Sequence, residues 1–124
     1  MKINVKTMQI AAGHASELLK ALANRHRLMI ICQLIDAERS VGELAAFLDV
    51  RDSTVSQHLA LLRKDGLVTA RRDGQTIWYS ISSGPAREVV ETLYRIYCVP
   101  NATCRPERRR KTGTSPKQRI EQDQ

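Results

Sequence analysis

The sequence predicts a mostly α-helical domain carrying one β-hairpin, and three observations support this. Apolar residues recur at helical spacing through residues 8–65 and again over 85–98. Between these stretches, "LVTARRDGQTIWYSI" changes to a period of two around Asp73-Gly74, the strongest short hairpin signal. Asn24, Ser40 and Gly66 stand where helices would start or stop.

The first helix is expected over residues 8–23, with Ile10, Leu18, Leu22 and several alanines as its stripe. Asn24 then caps a second helix, "RHRLMIICQLIDA". Leu28, Ile31, Cys32 and Ile35 follow the i, i+3, i+4, i+7 rule, which puts Cys32 on a buried face. A third helix follows Ser40, with Glu43 three residues on completing a capping box, and Val41, Leu44, Ala45 and Leu48 are apolar. The fourth, "DSTVSQHLALLRKD", points Val55, Leu59 and Leu62 inward and stops at Gly66. In the hairpin, Val68, Ala70, Ile77, Tyr79 and Ile81 can share one face, while Arg71, Arg72, Asp73, Gln75 and Thr76 crowd the turn. Pro85 suits the first turn of a last helix, "PAREVVETLYRIYC", whose Val89, Val90, Leu93, Ile96 and Tyr97 make a broad apolar surface. A terminal helix this apolar on so small a domain needs a partner, so a homodimer through the first and last helices is expected.

Two short helices joined by a tight turn, then a hairpin tipped with arginines, make a winged helix-turn-helix. A helix fits the major groove of B-form DNA, and its polar face can read base edges. On the fourth helix that face carries Ser53, Thr54, Ser56, Gln57 and His58. Gln57 can pair bidentately with adenine, and hydroxyls serve bases or phosphates. Arg63 and Lys64, near the far end, suit phosphate; Arg71, Arg72 and Gln75 on the hairpin suit backbone or minor groove.

Composition agrees with a polyanionic partner, double-stranded DNA. The 124 residues carry a formal net charge of +7. Residues 105–124 hold seven Lys/Arg and three Asp/Glu, a net of +4, against +3 for the other 104. With Ile120 as its one large aliphatic, this tail is expected to be disordered, either as a solubilising segment or as a DNA-backbone contact. Residues 1–104 are then the winged helix-turn-helix DNA-binding and dimerisation domain. No stretch approaches 18 apolar residues, and the N-terminus lacks an apolar signal core. A cytoplasmic location is expected, with no membrane partner, and there a structural disulfide is a poor default.

"LLKALANRHRLMIICQL", "VGELAAFLDV", "STVSQHLALLRKDGLV" and "RRDGQTIWYSI" resemble the ArsR/SmtB family of bacterial repressors over roughly residues 15–98. The resemblance implies a homodimer that sits on a palindromic operator and leaves it when an inducer acts. One departure is Arg51, where many relatives have a serine that could cap the recognition helix; Asp52 or Ser53 is expected to cap instead.

The metal sites of such repressors are poorly matched. The third helix has Ala45 and Ala46 where metal sensors often have a Cys-x-Cys pair. The last helix has no histidine, and Glu88 and Glu91 alone are weak ligands for a transition metal. His14, His26 and His58 lie on different segments, so neither a metal nor another cofactor is expected.

Of the three cysteines, Cys32 and Cys98 stand 66 residues apart, one inside the second helix and one ending the last. This placement resembles the sulfide-responsive branch of the family, the BigR and SqrR type, and the HlyU type of virulence regulator. The resemblance implies a redox-sensing pair, Cys32 and Cys98, linked by oxidation or a short polysulfide chain so that DNA binding weakens. The inducer would be a reactive sulfur species, a persulfide or polysulfide. Taken alone, Cys32 fits a small core residue equally well. Its apolar neighbours, and the helix C-terminus at Cys98, both disfavour a thiolate, which suits slow reaction with good sulfur donors better than peroxide sensing or thiol catalysis. A direct disulfide needs Cα atoms within about 7 Å, whereas a polysulfide spans more.

Three rival readings stand beside this one. One is a sensor of trivalent arsenic or another thiophilic ion through Cys98 and Cys104, with or without Cys32. Another is a repressor without a ligand, like the nodulation-type relatives. The third is a thiol oxidoreductase, for which the chain lacks a Cys-x-x-Cys motif and an evident activating base.

Overall fold

The computed structural model describes residues 1–99. Its elements are α1 (Val5–Leu22), α2 (Arg25–Asp36), β1 (Arg39–Ser40), α3 (Val41–Leu48), α4 (Asp52–Lys64), β2 (Val68–Asp73), β3 (Thr76–Ile81) and α5 (Gly84–Cys98). The expected mixture of helices and one hairpin is present, with one addition: β1 joins the hairpin in an antiparallel sheet ordered β1-β3-β2. Cys104 and the 105–124 tail lie outside the described residues. Met1–Val90 forms one compact unit and the chain from Glu91 onward a second.

In the first unit, helix ends follow local chemistry. Asn4 starts α1 by accepting the Thr7 N–H at 3.1 Å, three residues earlier than the apolar pattern indicates. Ala21 and Leu22 are buried and Leu18 packs on the core, but Ile10 is 85% exposed, so the expected stripe holds only at the C-terminal end of α1. Asn24 caps α2 by accepting from the His26 and Arg27 amides at 2.9 and 3.2 Å. The buried arc of α2 is Ile30, Ile31 and Leu34; Leu28, Cys32 and Ile35 flank it, half-buried. The expected stripe is thus rotated. With aliphatics spread across 28–35, the helical period fits two registers, and contact with α1, α3, α4 and β3 sets which one is deepest.

Ser40 caps α3 within a complete capping box: its Oγ accepts the Glu43 N–H at 3.2 Å and Glu43 Oε1 accepts the Ser40 N–H at 3.1 Å. Leu44 and Ala45 are buried, while Val41 and Leu48 pack alongside. Asp49 ends the helix in the left-handed region, at φ 56°, a conformation Asp tolerates better than most residues. At the start of α4 neither Asp52 nor Ser53 is the cap. Arg51 occupies that position without a side-chain hydrogen bond, and Asp52 lies in the first turn, where its charge favours the helix dipole.

Val55, Leu59 and Leu62 of α4 are fully buried. Burial contributes roughly 1.5–3 kcal/mol for each such aliphatic, enough to fix which face of α4 looks outward. Gly66, at φ 80°, closes the helix: its N–H donates to the Arg63 carbonyl at 3.0 Å and the Leu67 N–H to the Leu62 carbonyl at 2.9 Å, a Schellman motif. The chain turns directly into β2.

In the sheet, Val68 lies opposite Ile81, Ala70 opposite Tyr79 and Arg72 opposite Ile77. The expected inner face is therefore correct, with Val68 buried and Tyr79 and Ile81 packed on the core. Asp73 pairs with Thr76, which leaves Gly74 and Gln75 as the loop. The positive φ of 65° falls on Gly74, the first loop position, as a type II′ turn requires. β1 adds Arg39 opposite Tyr79 and Ser40 opposite Trp78. Ser83 Oγ accepts the Ala86 N–H at 3.1 Å to begin α5, whose Ala86 and Val90 complete the core.

In the second unit the described residues are the remainder of α5 and Val99. Leu93 and Ile96 are half-buried, and Tyr94, Tyr97 and Cys98 are exposed.

Candidate nucleic-acid interface and sensing cysteines

With Val55, Leu59 and Leu62 turned inward, the opposite side of α4 presents Ser53, Ser56, Gln57 and Ala60, all exposed and spaced i, i+3, i+4, i+7. Side chains on this row share one face, so two hydroxyls and one amide stand together. Thr54 is half-buried beside them. Arg63 and Lys64 are exposed in the last turn, where positive charge also suits the negative end of the helix dipole.

His58 stands apart from this row. It is half-buried, and its ring centroid lies 5.5 Å from that of His26 at the start of α2. Its Nδ1 is buried without a hydrogen-bond partner, as is Nε of Arg27. Burial first, and then the nearby positive charges of Arg27 and His26, hold the His58 imidazole below its usual pKa. His58 therefore belongs to the α2–α4 packing, and its expected place on the outward face is not where the structure puts it.

The wing arginines differ from one another. Arg71 Nε donates to Glu38 Oε2 at 3.1 Å and Nη2 to Oε1 at 2.7 Å, while Nη1 lies 4.0 Å from Asp73 Oδ2. Arg72 is exposed and has no ion pair among the described residues. Gln75 is exposed in the hairpin loop. No local pattern marks Glu38, because its partner lies 33 residues away. Its neighbour Arg39 is held on two sides: Nε donates to the Gln33 carbonyl at 3.2 Å, and the guanidinium lies 5.3 Å from the Phe47 ring centroid.

Cys32 is half-buried in α2 and packs against the core of the first unit. Cys98 is the last residue of α5. It is exposed as a residue, yet partial desolvation of its thiol pushes the pKa above the ordinary value. Among the described residues, no group of three or more His, Cys, Asp and Glu side chains is placed to hold a metal ion. No helix among them is long and apolar enough to cross a membrane. Large apolar side chains remain exposed on α1, at Val5, Met8, Ile10 and Leu19, and on α5, at Tyr94 and Tyr97.

The family model for bacterial regulatory proteins of the arsR family matches residues 24–70, from the cap of α2 into β2. The transcriptional activator HlyU of Vibrio cholerae serotype O1 is 46% identical over 99 residues, covering 80% of this chain and 92% of HlyU. The chain belongs to the arsR family. The arsR-family fold extends to solved structures. Reduced HlyU from Vibrio cholerae N16961 superposes with a TM-score of 0.71 at 47% identity, over 75% of this chain and 98% of that one. The transcriptional repressor BigR from Xylella fastidiosa gives 0.74 at 36% identity, over 78% and 99%. The homodimeric winged helix-turn-helix DNA-binding domain of Mb0332 from Mycobacterium bovis gives 0.60 at 29% identity, over 74% and 83%. This arsR-family chain is therefore a winged helix-turn-helix regulator, with α3 and α4 as the two helices and β2–β3 as the wing.

Proposed function

We propose that this regulator is a homodimeric transcriptional repressor of the cytoplasm, and that it leaves its operator when Cys32 and Cys98 become covalently linked. The observation that carries the DNA-binding half is the outward row of α4. Ser53, Ser56 and Gln57, with Thr54 beside them, would enter the major groove, and Gln57 would read adenine. Arg63, Lys64, Arg72 and Gln75 would hold backbone on either side. Two copies would place two α4 helices on successive major grooves of a two-fold symmetric site. The exposed apolar residues of α1 and α5 supply surface for that pairing, as does the homodimer named for Mb0332.

The sensing half rests on the positions of the two thiols and on the likeness to HlyU and BigR. A polysulfide or persulfide would act as the oxidant. Each cysteine would lose its thiol hydrogen, a chain of one or more added sulfurs would join them, and the donor would leave reduced. Neither thiol has the surroundings of a ready thiolate, as sulfur donors require less activation than peroxide. A tether from α2, which packs on α4, to the end of α5 would then alter the spacing of the two recognition helices. The reading is of a binding switch, not an enzyme.

The test uses DNA upstream of the protein's own gene in an anisotropy titration. The reduced protein is expected to bind, polysulfide to release it, and dithiothreitol to restore binding. Intact mass should show two hydrogens lost and sulfur gained between Cys32 and Cys98. Cys32→Ser and Cys98→Ser should each bind yet fail to release, while Cys104→Ser should respond. A normal response from Cys32→Ser would make Cys32 a core residue only; loss of response in Cys104→Ser alone would favour the thiophilic-ion reading.

A further inference from the structure

We propose that Glu38 is an electrostatic brake on DNA binding, holding Arg71 as a latch on the wing and withholding its charge from phosphate. The proposal rests on the DNA-binding reading above. The two wing arginines are neighbours in sequence but differ in setting. Arg71 lies opposite Trp78 and Arg72 opposite Ile77, so they occupy opposite faces of the sheet. On its face Arg71 meets Glu38 side-on through Nε and Nη2, with Asp73 near Nη1. These three groups sum to a charge of −1.

The pair is not a buried structural element. The Arg71 and Glu38 side chains are 54% and 38% exposed, and an exposed ion pair contributes little to stability. Its consequence lies in the field the wing presents to a polyanion. The carboxylate is held in place from behind, because Arg39 is tied to Gln33 and Phe47 and pairs with Tyr79 in the sheet. The hydrogen bond from Arg71 keeps the Glu38 carboxyl below its usual pKa, so the acid remains charged wherever DNA binding is measured. A phosphate approaching Arg71 would have to displace this carboxylate or share the guanidinium with it. Arg72, with no such partner, is left as the phosphate contact of the wing.

The test is Glu38→Gln, which keeps size and removes the charge, with fluorescence anisotropy on a mixed-sequence duplex of about 30 base pairs across a KCl series. Each phosphate neutralised steepens the slope of log K against log salt by about 0.9. Glu38→Gln is expected to bind more tightly than the native protein, with a slope steeper by about 0.9. Its advantage should therefore be about threefold larger at ~50 mM than at ~200 mM salt. The double variant Glu38→Gln, Arg71→Gln should return to the native slope, since it removes a neutral pair. Unchanged or weaker binding by Glu38→Gln would overturn the proposal. So would a double variant whose slope is shallower by about 0.9, since Arg71 would then already engage phosphate in the native protein. Absence of salt-dependent binding by the native protein would instead sink the DNA-binding reading itself.

Discussion

Replacing Gly66 by alanine isolates the backbone turn that joins α4 to the wing. A Cβ built at Gly66 meets nothing within 4 Å, so no clash contributes. What remains is the φ of 80°. Holding an L-residue in the left-handed region costs roughly 1–2 kcal/mol. The narrower unfolded ensemble of alanine returns about 0.4–1 kcal/mol. The net expectation is a loss of about 1 kcal/mol. With a urea m-value of about 1–2 kcal/mol/M for a chain this small, the unfolding midpoint should fall by roughly 0.5–1 M. Urea unfolding followed by circular dichroism at fixed protein concentration measures this, the concentration being held because a dimer's midpoint depends on it. Gly66→Asn should lose less, since asparagine visits this region more readily. Gly84→Ala is the control: its Cβ also meets open space, its φ is not positive, and its midpoint should hold or rise. A Gly66→Ala midpoint at or above the native value would refute the assignment of strain to this turn.

Two further outcomes are expected. His58 titrates below the usual imidazole value, so the native state resists a proton that the unfolded chain accepts near about pH 6.5. Stability should be full above that pH and fall as the pH drops through the native His58 value; His58→Gln should flatten this slope in urea titrations from about pH 7 to about pH 5, and an unchanged slope would assign the effect elsewhere. Gln57→Ala should relax preference at one or two base positions of the operator, at a cost of roughly 1–3 kcal/mol, read by competition binding with single-base variants; untouched base preferences would remove Gln57 from the reading face.

Much of the fold was legible because its signals are local. The capping box at Ser40, the Asn24 cap, the stop at Gly66 and the alternation over 68–81 each need only a few neighbouring residues. The inner stripe of α4 was equally clear, since Val55, Leu59 and Leu62 fit a single helical register. The errors fall where distant partners decide. The register of α2 depends on which of its aliphatics four other elements cover. β1 is too short to show alternation and exists only by pairing with β3. His58 shares a helix with the outward row, but its inward setting is made by His26 and Arg27, thirty residues earlier in the chain. Glu38 gives no sequence signal at all, because its role depends on the sheet register that brings Arg71 beside it.

Trp78 is the chain's one tryptophan, and it lies on the middle strand of the sheet, opposite Ser40 on one side and Arg71 on the other. Intrinsic fluorescence of this protein is therefore a signal from the wing. Its half-buried indole is open enough for the emission maximum to shift with local polarity, and it adjoins the Glu38–Arg71 pair. Docking of the wing on DNA, or release of Arg71 from Glu38, would register optically without any attached dye. Chemistry at Cys32 occurs on another element and would reach the indole only if the helices pass it on to the sheet. An emission change on thiol modification in the absence of DNA would thus separate a signal transmitted through one protomer from a simple rearrangement of two.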